Sequence, residues 1–123
     1  MNASFSTGLG KVSINERVIS AVAGRAATEC YGIVGMSSKT VQDGLAELLG
    51  FEQVDRGVGV RIEEDLVTVD LHIIVQYGVR ISEVANNVRA KVKYAVETLL
   101  GLKVACVNIH VEGVHVTGVD TLG

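Results

Sequence analysis

The sequence predicts an α+β, two-layer domain with helices packed on one face of a small mixed three-stranded sheet. Three observations carry this. Val67, Val69, Leu71, Ile73 and Val75 alternate with Thr68, Asp70, His72, Ile74 and Gln76, the period-two pattern of a strand with two unlike faces. Ile81, Val84, Ala85, Val88, Val92, Ala95, Val96 and Leu99 then recur at helical spacing between Ile81 and Leu100. A second strand pattern, Lys103 to Val111, follows Gly101. A strand, a long helix and a second strand in succession make a crossover unit, whose expected hand is right.

The elements follow in order. Residues 1–9 are small and polar and read as a flexible arm. Lys11 to Ile14 form a short edge strand or lead into the first helix. Ser13-Ile14-Asn15-Glu16 fits a capping box, in which the Ser side chain takes an orphan amide and the Glu reaches back. Val18, Ile19, Val22, Ala23, Ala26, Ala27 and Cys30 give that helix one apolar stripe. Gly24 costs helix stability and so marks a close-packing point, and Gly32 ends the helix. Gly32-Ile33-Val34-Gly35 reads as a short apolar link. Val41, Leu45, Leu48 and Leu49 predict a weaker helix from about Thr40 to Leu49, closed by Gly50. Val58, Val60 and Ile62 alternate with Gly57, Gly59 and Arg61, a half-buried strand. The short acidic turn Glu63-Glu64-Asp65 pairs it with the long strand as an antiparallel hairpin. In the last strand Ala105, Val107, Ile109 and Val111 are expected inward, with Cys106, Asn108, His110 and Glu112 outward. The domain therefore spans 10–113, and 114–123 reads as a flexible tail.

Bulk properties restrict the function. A chain of 123 residues makes one domain. It is 48% hydrophobic, with a mean hydropathy of +0.37 and no Trp or Pro, so the core is aliphatic. A net charge of −3 and 4% aromatics disfavour nucleic acid, which asks for a basic footprint and stacking platforms. Two distant cysteines, Cys30 and Cys106, read as a pair of reduced, buried small apolar residues. The N-terminus has neither a basic region nor an apolar run of a signal peptide, and no stretch approaches the ~18 apolar residues that span a bilayer. The expected location is cytoplasmic, membrane-proximal only through a partner, with no direct membrane insertion.

No reactive constellation stands out. There is no G-x-S-x-G, and no motif places a His beside Cys30 or Cys106. Gly32-Ile33-Val34-Gly35 matches the spacing of the backbone-clamping G-x-x-G loop, but with Ile-Val where a basic centre belongs. The less covered sheet face is the one candidate site. If the long strand and the last strand pair directly, His72, His110, Asp70 and Cys106 approach one another, which are metal-ligand types. Solvated or interface-facing histidines are the plainer reading, so no metal, cofactor or catalytic residue is assigned. His72, Ile74, Asn108 and His110 are the expected partner-binding residues.

The chain resembles the alkaline shock protein (general stress protein) family of small bacterial proteins. The resemblance rests on Gly10-Lys11-Val12-Ser13-Ile14, Gly32-Ile33-Val34-Gly35, Gly57-Val58-Gly59-Val60, Val75-Gln76-Tyr77-Gly78, Ile81-Ser82-Glu83-Val84-Ala85 and Val107-Asn108-Ile109-His110-Val111. It implies a cytoplasmic protein of cell-envelope stress or homeostasis, with self-association, a protein partner that is in some members membrane-anchored, and no enzyme activity. The function expected is that of a non-enzymatic scaffold or adaptor. A KH-like nucleic-acid module and a small metal-dependent enzyme are the alternatives.

Overall fold

The computed structural model describes residues 2–37 and 57–116. Eight elements run through them: β1 (Asn2–Thr7), β2 (Gly10–Asn15), α1 (Glu16–Thr28), β3 (Ile33–Met36), β4 (Val58–Glu63), β5 (Leu66–Gln76), α2 (Ile81–Leu100) and β6 (Lys103–His115). The class is α+β, as the two periodicities predict. The helix expected at about 40–49 lies outside the described residues.

β5 is the spine. β6 pairs with it in parallel from Leu66↔Lys103 to Gln76↔His115. Its other edge is shared. β4 runs antiparallel along Leu66–Leu71, and β3 runs antiparallel along Ile73–Val75. The junction of the two half-edges falls at His72, whose amide donates to the Gly57 carbonyl while its carbonyl accepts from the Ser37 amide, each at 2.8 Å. Gly57 sits there at φ +77°, and a Cβ would lie 2.1 Å from the Ser37 carbonyl oxygen. Only glycine fits.

The sheet thus has four strands rather than three. The supposed link Gly32–Gly35 contributes β3, because its apolar residues lie beside the uncovered second half of β5 and satisfy that edge's backbone groups. The arm is likewise corrected. Residues 2–7 form β1, which pairs antiparallel with β2 as a separate two-stranded sheet. Ala3 enters the core, and Phe5 lies near Gly101 at the end of α2. That packing is what orders a small, polar segment.

The core lies between one face of β5 and the two helices. Val67, Val69, Leu71, Ile73 and Val75 are buried against Ile19, Ala23, Ala26 and Ala27 of α1 and Val84, Val88, Val92 and Val96 of α2. The 3.6-residue stripes aim these side chains at the sheet. α1 is capped by Asn15, whose side chain accepts from the Arg17 amide at 2.8 Å, in place of the Ser13 box. Ser13 is held in β2 opposite Ser4 and cannot turn into the cap. α2 ends on Gly101 in the left-handed conformation, with its amide on the Glu97 carbonyl.

β6 departs from simple alternation. A shift between Val67↔Val104 and Thr68↔Cys106 leaves Ala105 as an extra residue. Val104 and Val107 are therefore the buried pair, while Ala105 and Val111, expected inward, are exposed. The strand also continues through Gly113 and Val114 to His115, past the strand end expected at Val111 and the domain end expected at 113. The His115 carbonyl accepts from the Tyr77 amide, which holds that extension. Residues 117–123 lie outside the described ones.

Candidate functional site: the open face of the sheet

The face of β5 turned away from the helices carries Thr68, Asp70, His72, Ile74 and Gln76, all half-buried. Parallel pairing with β6 sets Asp70 beside Asn108, His72 beside His110 and Ile74 beside Gly113. His72, Ile74, Asn108 and His110, singled out from the sequence, thereby lie on one surface, and the direct strand pairing on which the approach of His72, His110, Asp70 and Cys106 depended is present.

The geometry is a ladder. The His72 and His110 rings stack with centroids 4.5 Å apart and planes 10° from parallel. His72 Nδ1 lies 2.7 Å from a Glu112 carboxylate oxygen, with its side chain only 14% exposed. Asn108 donates from Nδ2 to Asp70 Oδ1 at 2.9 Å. His110 Nε2 approaches that same oxygen at 3.7 Å, and Arg61 of β4 reaches Asp70 Oδ2 at 3.5 Å. Asp70 thus joins three strands. The Asn108 bond is part-buried and contributes ~1 kcal/mol, while the Arg61 pair, exposed on the Arg side, contributes at most ~1 kcal/mol.

Two members of the ladder, Glu112 and Arg61, were not among the expected site residues. Glu112 shares the parity of His110, which is the signal that could have found it. The shift between Ile73↔Val111 and Ile74↔Gly113 then makes Glu112 the extra residue of a second bulge, from which its carboxylate meets His72. Arg61 follows from the antiparallel register Gly59↔Asp70 and Arg61↔Thr68.

The stacked histidines do not suit a metal ion. Two imidazoles lying face to face direct their in-plane nitrogens side by side, not toward one point, and a metal ion needs convergent lone pairs. Among the described residues no group of three or more His, Cys, Asp or Glu is arranged to hold a metal ion. Cys106, read as buried from the sequence, is instead exposed on this face, because its place opposite Thr68 turns it away from the core, and it does not join the ladder. Ile74 is the face's apolar centre. Its cross-strand neighbours are Gly35 and Gly113, so no side chain stands beside it on either strand. Gly32 to Gly35 runs into β3 instead of joining two helices, unlike a nucleotide-clamping loop.

Comparisons with known proteins find relatives over nearly the whole chain. Residues 4–116 match the model of the alkaline shock protein 23 family, described as having a cell envelope-related function. A Bacillus subtilis (strain 168) protein, the uncharacterized YloU, is 52% identical over 118 residues, covering 95% of this chain and 98% of the relative. Spy1614, an uncharacterized protein of Streptococcus pyogenes serotype M6, is 37% identical over 119 residues, covering 96% and 98%. A stress response regulator gls24 homolog of S. pyogenes serotype M3 is 26% identical over 102 residues, 83% of this chain and 57% of the relative. No solved structure matches the chain.

Proposed function

Because this chain belongs to the alkaline shock protein family, we propose that it is a non-enzymatic scaffold or adaptor in cell-envelope stress or homeostasis. It binds another protein, and itself, through the open face of the sheet. The observation that carries this reading is the form of that face: a rigid polar ladder of Asp70, Asn108, His72, His110 and Glu112 beside the glycine-flanked Ile74. A surface whose own polar groups are already paired is preorganised and loses little entropy on docking. Ile74, half-buried and without flanking side chains, suits a central apolar anchor inside a polar surround. The name carried by the streptococcal relatives, stress response regulator, supports the stress assignment.

The protein acts in the cytoplasm, near the membrane when its partner is there. No described helix is long and apolar enough to cross a membrane, so on this reading a partner supplies the attachment. Affinity capture of the tagged protein from gently solubilised cells, followed by mass spectrometry, tests the proposal. Near-stoichiometric recovery of one small membrane protein is the expected result. Recovery of RNA-associated proteins alone would overturn it.

A further inference from the structure

The outer edge of β6 carries backbone groups that its own sheet leaves open. Among the described residues β6 pairs with β5 alone. His72 and Gln76 donate their amides to the Gly57 and Gly32 carbonyls, on the β3–β4 side of β5. Leu71 and Ile73 therefore turn their backbone groups toward β6. In a parallel pair each residue bonds to the two neighbours of its cross-strand partner. The pairs Leu71↔Ile109 and Ile73↔Val111 thus set the groups of Asn108 and His110 inward and those of Val107, Ile109 and Val111 outward. The register is regular from Cys106 to Val111, between the two bulges. α2 caps only the start of this edge. Glu97 accepts from the Val104 amide at 3.0 Å, and Arg89 Nε donates to the Val107 carbonyl at 3.4 Å. Among the described residues no partner meets the outward groups of Ile109 and Val111.

Arg89, Lys93 and Glu97 follow one another at single turns of α2 and form one ridge along the edge. Arg89 bonds otherwise to Asn86 Oδ1 at 2.6 Å, and among the described residues neither Arg89 nor Lys93 meets a carboxylate. Two uncompensated cations therefore flank an open strand edge in a chain of net charge −3. From this juxtaposition we infer that the β6 edge binds an extended acidic segment of a partner protein by strand addition. Unpaired strand groups are completed by an extended backbone, and carboxylates on its helix side meet Arg89 and Lys93. A second copy would set its own Arg89 and Lys93 beside these, and like charges oppose that pairing. The inference is independent of the open sheet face, since it uses backbone groups and α2 side chains and none of the ladder.

The probe is a synthetic peptide of alternating Glu and Val, about seven residues long, which spans Val107 to Val111 with one residue to spare at each end. Amide hydrogen exchange of the full chain, followed by NMR, reads the edge directly. Saturating peptide is expected to slow exchange at Ile109 and Val111 by about tenfold or more. A peptide of alternating Lys and Val should bind about tenfold more weakly, as should the Glu–Val peptide to the double variant Arg89→Glu, Lys93→Glu. Val111→Pro removes one outward donor and no bond to β5, on an edge strand where proline is tolerated. It should abolish the protection of Ile109 while leaving the circular dichroism spectrum unchanged. No protection by the Glu–Val peptide, equal binding of the Lys–Val peptide, or full binding to Val111→Pro would each overturn the inference. So would protection of the same amides that rises with protein concentration in the absence of peptide, since the edge would then belong to a second copy.

Discussion

The open face depends on a few residues whose surroundings fix their roles. Asn108, an awkward residue in mid-strand, is explained by its 2.9 Å bond to Asp70. Replacing it with Ala is expected to cost ~1 kcal/mol in urea unfolding, with the slope unchanged. Gly57→Ala should cost more, above ~2 kcal/mol by the same measurement, because the added methyl meets the Ser37 and His72 carbonyls at a positive φ. The two cysteines should separate in a thiol-labelling pH profile. Burial pushes the Cys30 thiol above the ordinary 9.0, with Lys91 opposing and Glu29 adding to the effect, while Cys106 is exposed. Cys106 should label first, and Cys30 should need a higher pH. The raised Cys30 value favours the fold below pH 9.0, and that contribution is lost as pH climbs through the folded value. At this scale the sequence revealed which residues face outward on β5. It did not reveal Glu112 as the partner of His72, since that contact depends on a bulge that no pattern of residue types announces.

Elements were legible in proportion to their periodicity. β5 and α2 carry long unbroken patterns, and their observed bounds match them. β3 has only four residues and two glycines in or beside it, so its strand character comes from the edge of β5, not from its own sequence. β1 is small and polar and owes its order to pairing with β2 and to burial of Ala3. The β4–β5 turn was placed correctly, but its strain was not foreseen. Glu64 and Asp65 both have positive φ, at 52° and 66°. Such a two-residue turn prefers Asn-Gly. The double change Glu64→Asn, Asp65→Gly is therefore expected to raise stability by ~0.5–1 kcal/mol, read as a higher denaturation midpoint. In the core, Leu71→Ala should cost ~2–5 kcal/mol, because β3, β4 and β6 hold β5 in place and limit collapse around the gap.

The whole molecule presents two unlike surfaces separated by one aliphatic core. The sheet face is polar and centred on Ile74, and the helix face carries a groove lined by small apolar residues with Arg25, Glu29 and Lys91 among them. The two-layer architecture follows directly from the sequence, because one face of β5 and one stripe of each helix are apolar and must meet. Which strand lies beside which does not follow from it, because apolar patterns set faces and leave strand order to long-range packing. That order is what assembled the ladder from residues 61, 70, 72, 108, 110 and 112. Partner binding is assigned to the sheet face, and one pair of variants tests that assignment most directly. Ile74→Arg, with Leu99→Arg on the helix face as its counterpart, is compared with the unaltered protein in quantitative partner capture. Ile74→Arg is predicted to lose the partner while Leu99→Arg retains it, both variants being folded by circular dichroism. Full capture by Ile74→Arg would contradict a partner site on the sheet face.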